Sequence, residues 1–86
     1  PELADHTMCR LGKWYAEGEG REKYSHLSAY RRLDAPHKGV HENGFKAMKA
    51  HREGNRDAML GYLEAMETAS QEVIATLTEI EEAVAR

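Results

Sequence analysis

The sequence has few of the residues that build disulfide frameworks or β-sheets. It contains one cysteine, so an internal disulfide is excluded. Valine and isoleucine together occur only five times, and these are the residues that favour strands. Alanine and glutamate, which are good helix formers, occur twelve times each. This composition predicts an all-α fold.

Long apolar runs and a basic charge field are also absent. No stretch approaches the about 20 apolar residues that a membrane span needs, and residues 1–5 are too polar for a signal peptide. The net charge of -3 argues against a nucleic-acid binder. A lone thiol without an export signal favours a reducing compartment. We therefore expect a cytoplasmic protein that binds neither membranes nor nucleic acid.

The length of 86 residues corresponds to a single domain, 1–86. A chain this short buries only about 60% of its unfolded surface. Its core alone is then marginal, and a metal ion or a second subunit often supplies the remaining stability. We therefore expect metal binding, dimerisation or both.

Apolar residues recur at steps of three and four, the period of amphipathic helices, in four segments. The predicted segments are 2–17, 22–33, 34–53 and 55–86. Asp34 suits the cap of the third segment, with Pro36 in its first turn. The fourth helix would be roughly 45 Å long. The shorter helices before it could not pack along its whole length. The prediction is an antiparallel bundle of three to four helices, whose long last helix pairs with a second copy or projects toward a neighbouring domain.

Potential metal ligands lie on two of these segments. His37 and His41 are four residues apart, so their rings project from the same face of a helix. Cys9 is the only thiol. Taken separately, the histidines could be a solvated or capping pair, and the cysteine a small buried hydrophobe. Together, two imidazoles and a thiolate suit zinc. Residue 38 is a lysine, so the Glu that follows the first His of a zinc-protease helix is missing.

Two local motifs strengthen the prediction of a zinc site. The run Cys-Arg-Leu-Gly-Lys-Trp-Tyr at 9–15 is followed by Gly18 and Gly20, and then by Leu-Asp-Ala-Pro-His-Lys-Gly-Val-His at 33–41. Together they resemble the chemoreceptor zinc-binding domain (CZB) family. The segment 63–74 is similar to the closing helix of that family, so the resemblance covers essentially the whole chain.

The resemblance implies a cytoplasmic, all-helical zinc module, usually dimeric, that is attached to bacterial chemoreceptors and diguanylate cyclases. The family binds zinc through three His and one Cys. By motif, the Cys corresponds to Cys9 and the paired His to His37 and His41. The family's first His lies on a helix well upstream, and this sequence begins eight residues before Cys9. We therefore expect that helix to be missing, and the fourth ligand to be His6, a water, a partner-chain His or a residue preceding Pro1.

The predicted function is a sensory domain that detects zinc, or oxidants such as hypochlorite, through a Cys/His zinc site. No enzymatic activity is expected. The alternatives are a metal-free helical dimerisation module and a small zinc hydrolase with water as fourth ligand. Asp34 could cap its helix or accept a hydrogen bond from a ligand His. Trp14 and Tyr15 are expected to form core or subunit contacts, and His26 and His51 to lie on the surface.

Overall fold

The computed structural model describes residues 9–85, and its regular elements are all helical. They are α1 (Arg10–Ala16), a π-helical turn (Gly20–Tyr24), α2 (Ser28–Arg52) and α3 (Arg56–Ala85). Helices α2 and α3 form an antiparallel hairpin, and the molecule measures 48 × 23 × 14 Å. The predicted all-α bundle with a long last helix is confirmed. The part of the first predicted segment that precedes Cys9 lies outside the described residues.

Helix α2 unites two of the predicted segments. It begins at Ser28, after the N-cap residue Leu27, and continues through Pro36. The prediction that Asp34 caps a helix is therefore wrong. A proline inside a helix removes one hydrogen bond and costs about 3 kcal/mol. Leu33 and His37, on either side of Pro36, are both buried, and the packing of this face offsets that cost.

Helix α3 has a partner of comparable length within the same chain. The 30 residues of α3 pack along the 25 residues of α2. The expectation that the preceding helices are too short for α3 is therefore wrong. The connection between them turns at Gly54, whose φ of 74° favours glycine. The N–H of Asn55 donates to the carbonyl of Ala50 (2.9 Å), and the Asn55 side chain accepts from the N–H of Ala58 (3.1 Å).

The core lies where α1 and the π-helical turn cover the hairpin. Tyr30, Leu33 and Ile80 are at most 7% exposed, and they join residues of α2 and α3. Half-buried apolar side chains surround them: Leu11, Trp14, Tyr15, Tyr24, Leu27, Val73 and Leu77. The expectation that Trp14 and Tyr15 contribute to the core is confirmed. We refer to this region as the covered end of the hairpin.

The other end of the hairpin, near Gly54, consists of two helices alone. Ala47 and Ala50 are its buried apolar residues among those described, and Met48, Leu60 and Leu63 are exposed. We refer to this region as the turn end. Within residues 9–85, every helix is too short or too polar to cross a membrane.

Candidate metal centre

Cys9 is held at the start of α1 by the helix itself. It is the N-cap residue, with an extended backbone (φ −72°, ψ 169°). Its Sγ accepts a hydrogen bond from the N–H of Gly12 at 3.4 Å. This N–H belongs to the first turn of the helix, where backbone donors have no partner within the helix. Cys9 thus takes the place of the usual Ser or Asp cap.

His37 and His41 lie one turn apart on α2, as their spacing predicts. Their ring centroids are 5.0 Å apart and the rings are nearly perpendicular (80°). His37 is 6% exposed and His41 is half-buried. Since the packing of α2 against α3 fixes the helix that carries both rings, the pair is a pre-formed half of a site.

The fold brings Cys9 to this pair across 28 residues of sequence. The Sγ of Cys9 lies 3.1 Å from the Nε2 of His37. One ligand atom from each of Cys9, His37 and His41 can be chosen such that all three lie within 4.8 Å of one another. The three residues singled out by the sequence therefore form one cluster, in which α1 contributes the sulfur and α2 contributes both nitrogens.

The donor set of this cluster fits zinc. With Zn–S of about 2.3 Å and Zn–N of about 2.0–2.1 Å, the donor atoms of a tetrahedral site lie about 3.3–3.6 Å apart. The Cys9–His37 separation of 3.1 Å and the upper limit of 4.8 Å bracket this value. Small adjustments of the side chains would bring the three donors to zinc distances. One thiolate and two imidazoles also match zinc's preference for sulfur and nitrogen ligands.

A pair of tyrosines fastens α1 to α2. The rings of Tyr15 and Tyr30 are stacked, with centroids 4.1 Å apart and an interplanar angle of 10°. The hydroxyl of Tyr30 donates a hydrogen bond to the backbone carbonyl of Tyr15. Burial raises the pKa of both phenols above the ordinary value of 10.0, and the nearby Asp34 carboxylate adds to the increase. The pair therefore remains neutral, and it helps to keep Cys9 opposite His37.

The sequence also singled out one aspartate and three further histidines. Asp34 is half-buried inside α2, one turn before His37, so its role beside a ligand His stays a prediction. His26 and His51 are exposed, as expected. His6 lies outside the described residues. The identity of the fourth ligand stays a prediction.

Two features of the site were not predicted from the sequence. One is the capping role of Cys9, for which the sequence gives no signal, because cysteine is not among the residues that usually cap helices. The other is the Tyr15–Tyr30 stack. It depends on how α1 lies on α2, and the spacing of apolar residues within each helix does not contain that information.

Comparisons with known proteins give one match. A family model described as the chemoreceptor zinc-binding domain matches residues 1–48. This range includes Cys9, His37 and His41 and ends before the turn at Gly54. No curated protein and no solved structure matches the chain.

Proposed function

The chain belongs to the chemoreceptor zinc-binding domain family, and from that premise we propose that it is the zinc-binding sensory domain of a bacterial signalling protein. The signalling protein would be a chemoreceptor or a diguanylate cyclase. The single observation that carries the proposal is the convergence of Cys9, His37 and His41 within 4.8 Å. Cys9 lies 28 residues before His37 in the sequence, and zinc is the ion that these donors suit.

In this function Cys9, His37 and His41 hold the ion, and α1 is thereby tied to α2. Bound zinc would stabilise the Cys9 thiolate and add its binding free energy to the folding of the domain. A site closed by three or four protein ligands leaves little room for a substrate. We therefore propose a binding role and no catalysis. Loss of the ion frees the Cys9 segment to move, and α3 is the route by which an attached domain would sense that movement.

Zinc content after purification tests the metal site. Cys9→Ala and His37→Ala should each abolish bound zinc, measured as metal per chain by mass spectrometry. His26→Ala removes the same side chain from an exposed position and should retain the zinc. Retention of zinc by the Cys9 and His37 variants would sink the proposal. The loss of zinc from His6→Ala would identify the fourth ligand.

Oxidant sensing is the finer part of the proposal. Hypochlorous acid transfers its oxygen to the Cys9 thiolate, giving the sulfenic acid and chloride (S⁻ + HOCl → SOH + Cl⁻). The sulfenic acid binds zinc more weakly than the thiolate does, so oxidation loosens the link between α1 and α2. Zinc release should then follow added hypochlorite in a one-to-one titration and be reversed by a thiol reductant. Release by chelators alone would leave zinc itself as the signal.

We further propose that the domain is a cytoplasmic homodimer attached to a signalling partner domain. Support comes from the family and from exposed apolar side chains along the hairpin, notably Phe45, Leu60 and Ile74. Sedimentation equilibrium should give twice the chain mass of 9.7 kDa. A dimer that forms equally well without zinc, in a chain that never retains the metal, would favour the second candidate: a metal-free helical dimerisation module.

A further inference from the structure

A groove at the turn end gathers most of the chain's methionines. It has a volume of about 420 Å³ and lies between α2 and α3. Three of the four methionines line it, together with one histidine. The full lining is Gly44, Ala47, Met48, His51, Arg52, Met59, Leu63 and Met66. We call it the methionine groove.

The register of the hairpin shows which of these side chains face one another. A Cβ placed on Gly44 would lie 3.5 Å from the Sδ of Met66, so these two positions are opposite each other. Seven residues nearer the turn on each helix, about 10.5 Å along the axis, are His51 and Met59. They therefore face each other as well. Met48 lies three residues before His51 on the same face of α2.

This register divides the groove into two parts. Met48, His51 and Met59 gather within about one turn of each other, close to Gly54. Met66 is seven residues from Met59, about 10.5 Å along α3, and its sulfur lies beside Gly44. The nearer group offers two thioether sulfurs and one imidazole nitrogen. The zinc-suited cluster is separate from it, since His41 and His51 are ten residues apart, about 15 Å along α2.

Thioethers are soft ligands that suit Cu(I), and imidazole also suits copper, whereas magnesium and calcium prefer oxygen ligands. All three donors are neutral when they bind. Arg52 also lines the groove, and its positive charge repels a bound cation in proportion to the charge of that cation. A monovalent ion is therefore repelled half as strongly as a divalent one. Donor type and local charge both favour a soft monovalent metal ion.

We propose that Met48, His51 and Met59 form a second metal site, which takes a soft monovalent ion of the Cu(I) class. The site is reached from solvent, since Met48 is 43% exposed and His51 is exposed. The ion bridges α2 and α3 beside the turn at Gly54. It holds together the end of the hairpin that has almost no core of its own.

The experiment uses the full chain with its zinc retained, and it titrates Ag(I), a redox-inert substitute for Cu(I), while the methionine methyl resonances are followed by NMR. The methyls of Met48 and Met59 should shift at one equivalent, and that of Met66 should not. Cu(I) affinity is then measured anaerobically by competition with a chromophoric chelator. Met48→Leu, Met59→Leu and His51→Ala should each weaken binding at least about tenfold, equivalent to about 1.4 kcal/mol. Leucine has about the same volume as methionine and lacks the sulfur.

Met66→Leu is the matched control, because it removes a thioether from the same groove outside the proposed site. Unchanged affinity in this variant is the expected result. The proposal is overturned if the Met48 and Met59 variants bind as the parent chain does, or if Met66→Leu weakens binding equally. It is also overturned if silver displaces zinc and shifts only the methyl of Met8, the neighbour of Cys9, because the ion has then gone to the Cys9 cluster.

Discussion

The two ends of the α2–α3 hairpin are packed in different ways. At the covered end, α1 and the π-helical turn add a third layer, and Leu33 is 1% exposed. At the turn end the two helices stand alone, and Leu60 is 44% exposed. The same two helices thus form a core only where a third element covers them, because two helices cannot enclose their own apolar faces. The Cys9–His37–His41 cluster joins that cover to the hairpin.

The largest difference between the ends should come from leucine truncation. Leu33→Ala removes a fully buried side chain at the covered end and should lower the free energy of unfolding by about 2–5 kcal/mol. Leu60→Ala makes the same chemical change at the turn end and should cost less than about 1 kcal/mol. Urea denaturation of the two variants measures both values. Equal losses would mean that the turn end is as well packed as the covered end.

A methyl group at Gly20 should have the next largest effect. A Cβ at this position would lie 2.7 Å from Cε3 and 2.8 Å from the backbone oxygen of Trp14. Gly20→Ala must therefore displace Trp14, at a cost of about 1–3 kcal/mol. Gly61→Ala on α3 meets nothing within 4 Å and should stabilise the chain by up to about 1 kcal/mol, through helix propensity alone. Thermal unfolding of both variants should show shifts of opposite sign.

Removal of one hydroxyl tests the Tyr15–Tyr30 pair. Tyr30→Phe keeps the stacked ring and loses the hydrogen bond to the Tyr15 carbonyl, which should cost about 1 kcal/mol. Burial raises the folded-state pKa of Tyr30 above 10.0, so its contribution is present below pH 10 and is lost as the pH rises through the folded pKa. The variant should therefore lose less stability than the parent between pH 9 and 11. Equal losses of stability in the variant and the parent over this range would contradict the prediction.

The smallest effect should come from the ion pair between Arg32 and Glu79. The hydrogen bond from Arg32 lowers the pKa of Glu79 below the ordinary value of 4.5. The stabilisation is therefore present above pH 4.5 and is lost as the pH falls through the folded pKa. Both side chains are about half exposed, so the contribution is small and salt reduces it. Glu79→Gln should remove this acid-sensitive contribution to the free energy of unfolding, measured at low salt. Glu81→Gln removes the same charge two residues away and should retain the contribution.

The sequence predicted the existence of the helices better than the positions at which they begin and end. Apolar periodicity placed α3 correctly because one face of that helix is apolar over its whole length. The same reasoning divided α2 at Asp34 and Pro36, since local preference disfavours a proline inside a helix. The helix continues there because Leu33 and His37 pack on one face. Such tertiary packing overrides local propensity and is not visible within a window of sequence.

The candidate site was predictable for a different reason. Ligand residues are chosen by chemistry, so Cys9, His37 and His41 were identifiable from residue type, spacing and family motif. The structure adds that they converge. The methionine groove lacked any such motif, because its members come from two helices and meet only through the antiparallel register.

The short connection at Gly54 has a consequence for the order of folding. Contacts between α2 and α3 link residues that are close in sequence near the turn, and such local contacts form quickly. The contacts between α2 and α3 can therefore form first near Gly54 and then progressively farther from it, before the Cys9 segment joins the hairpin. Until the Cys9 segment joins the hairpin, its thiol is uncovered, although Cys9 is synthesised before α3. A newly made chain would thus pass through a stage in which its cysteine is open to chemical attack.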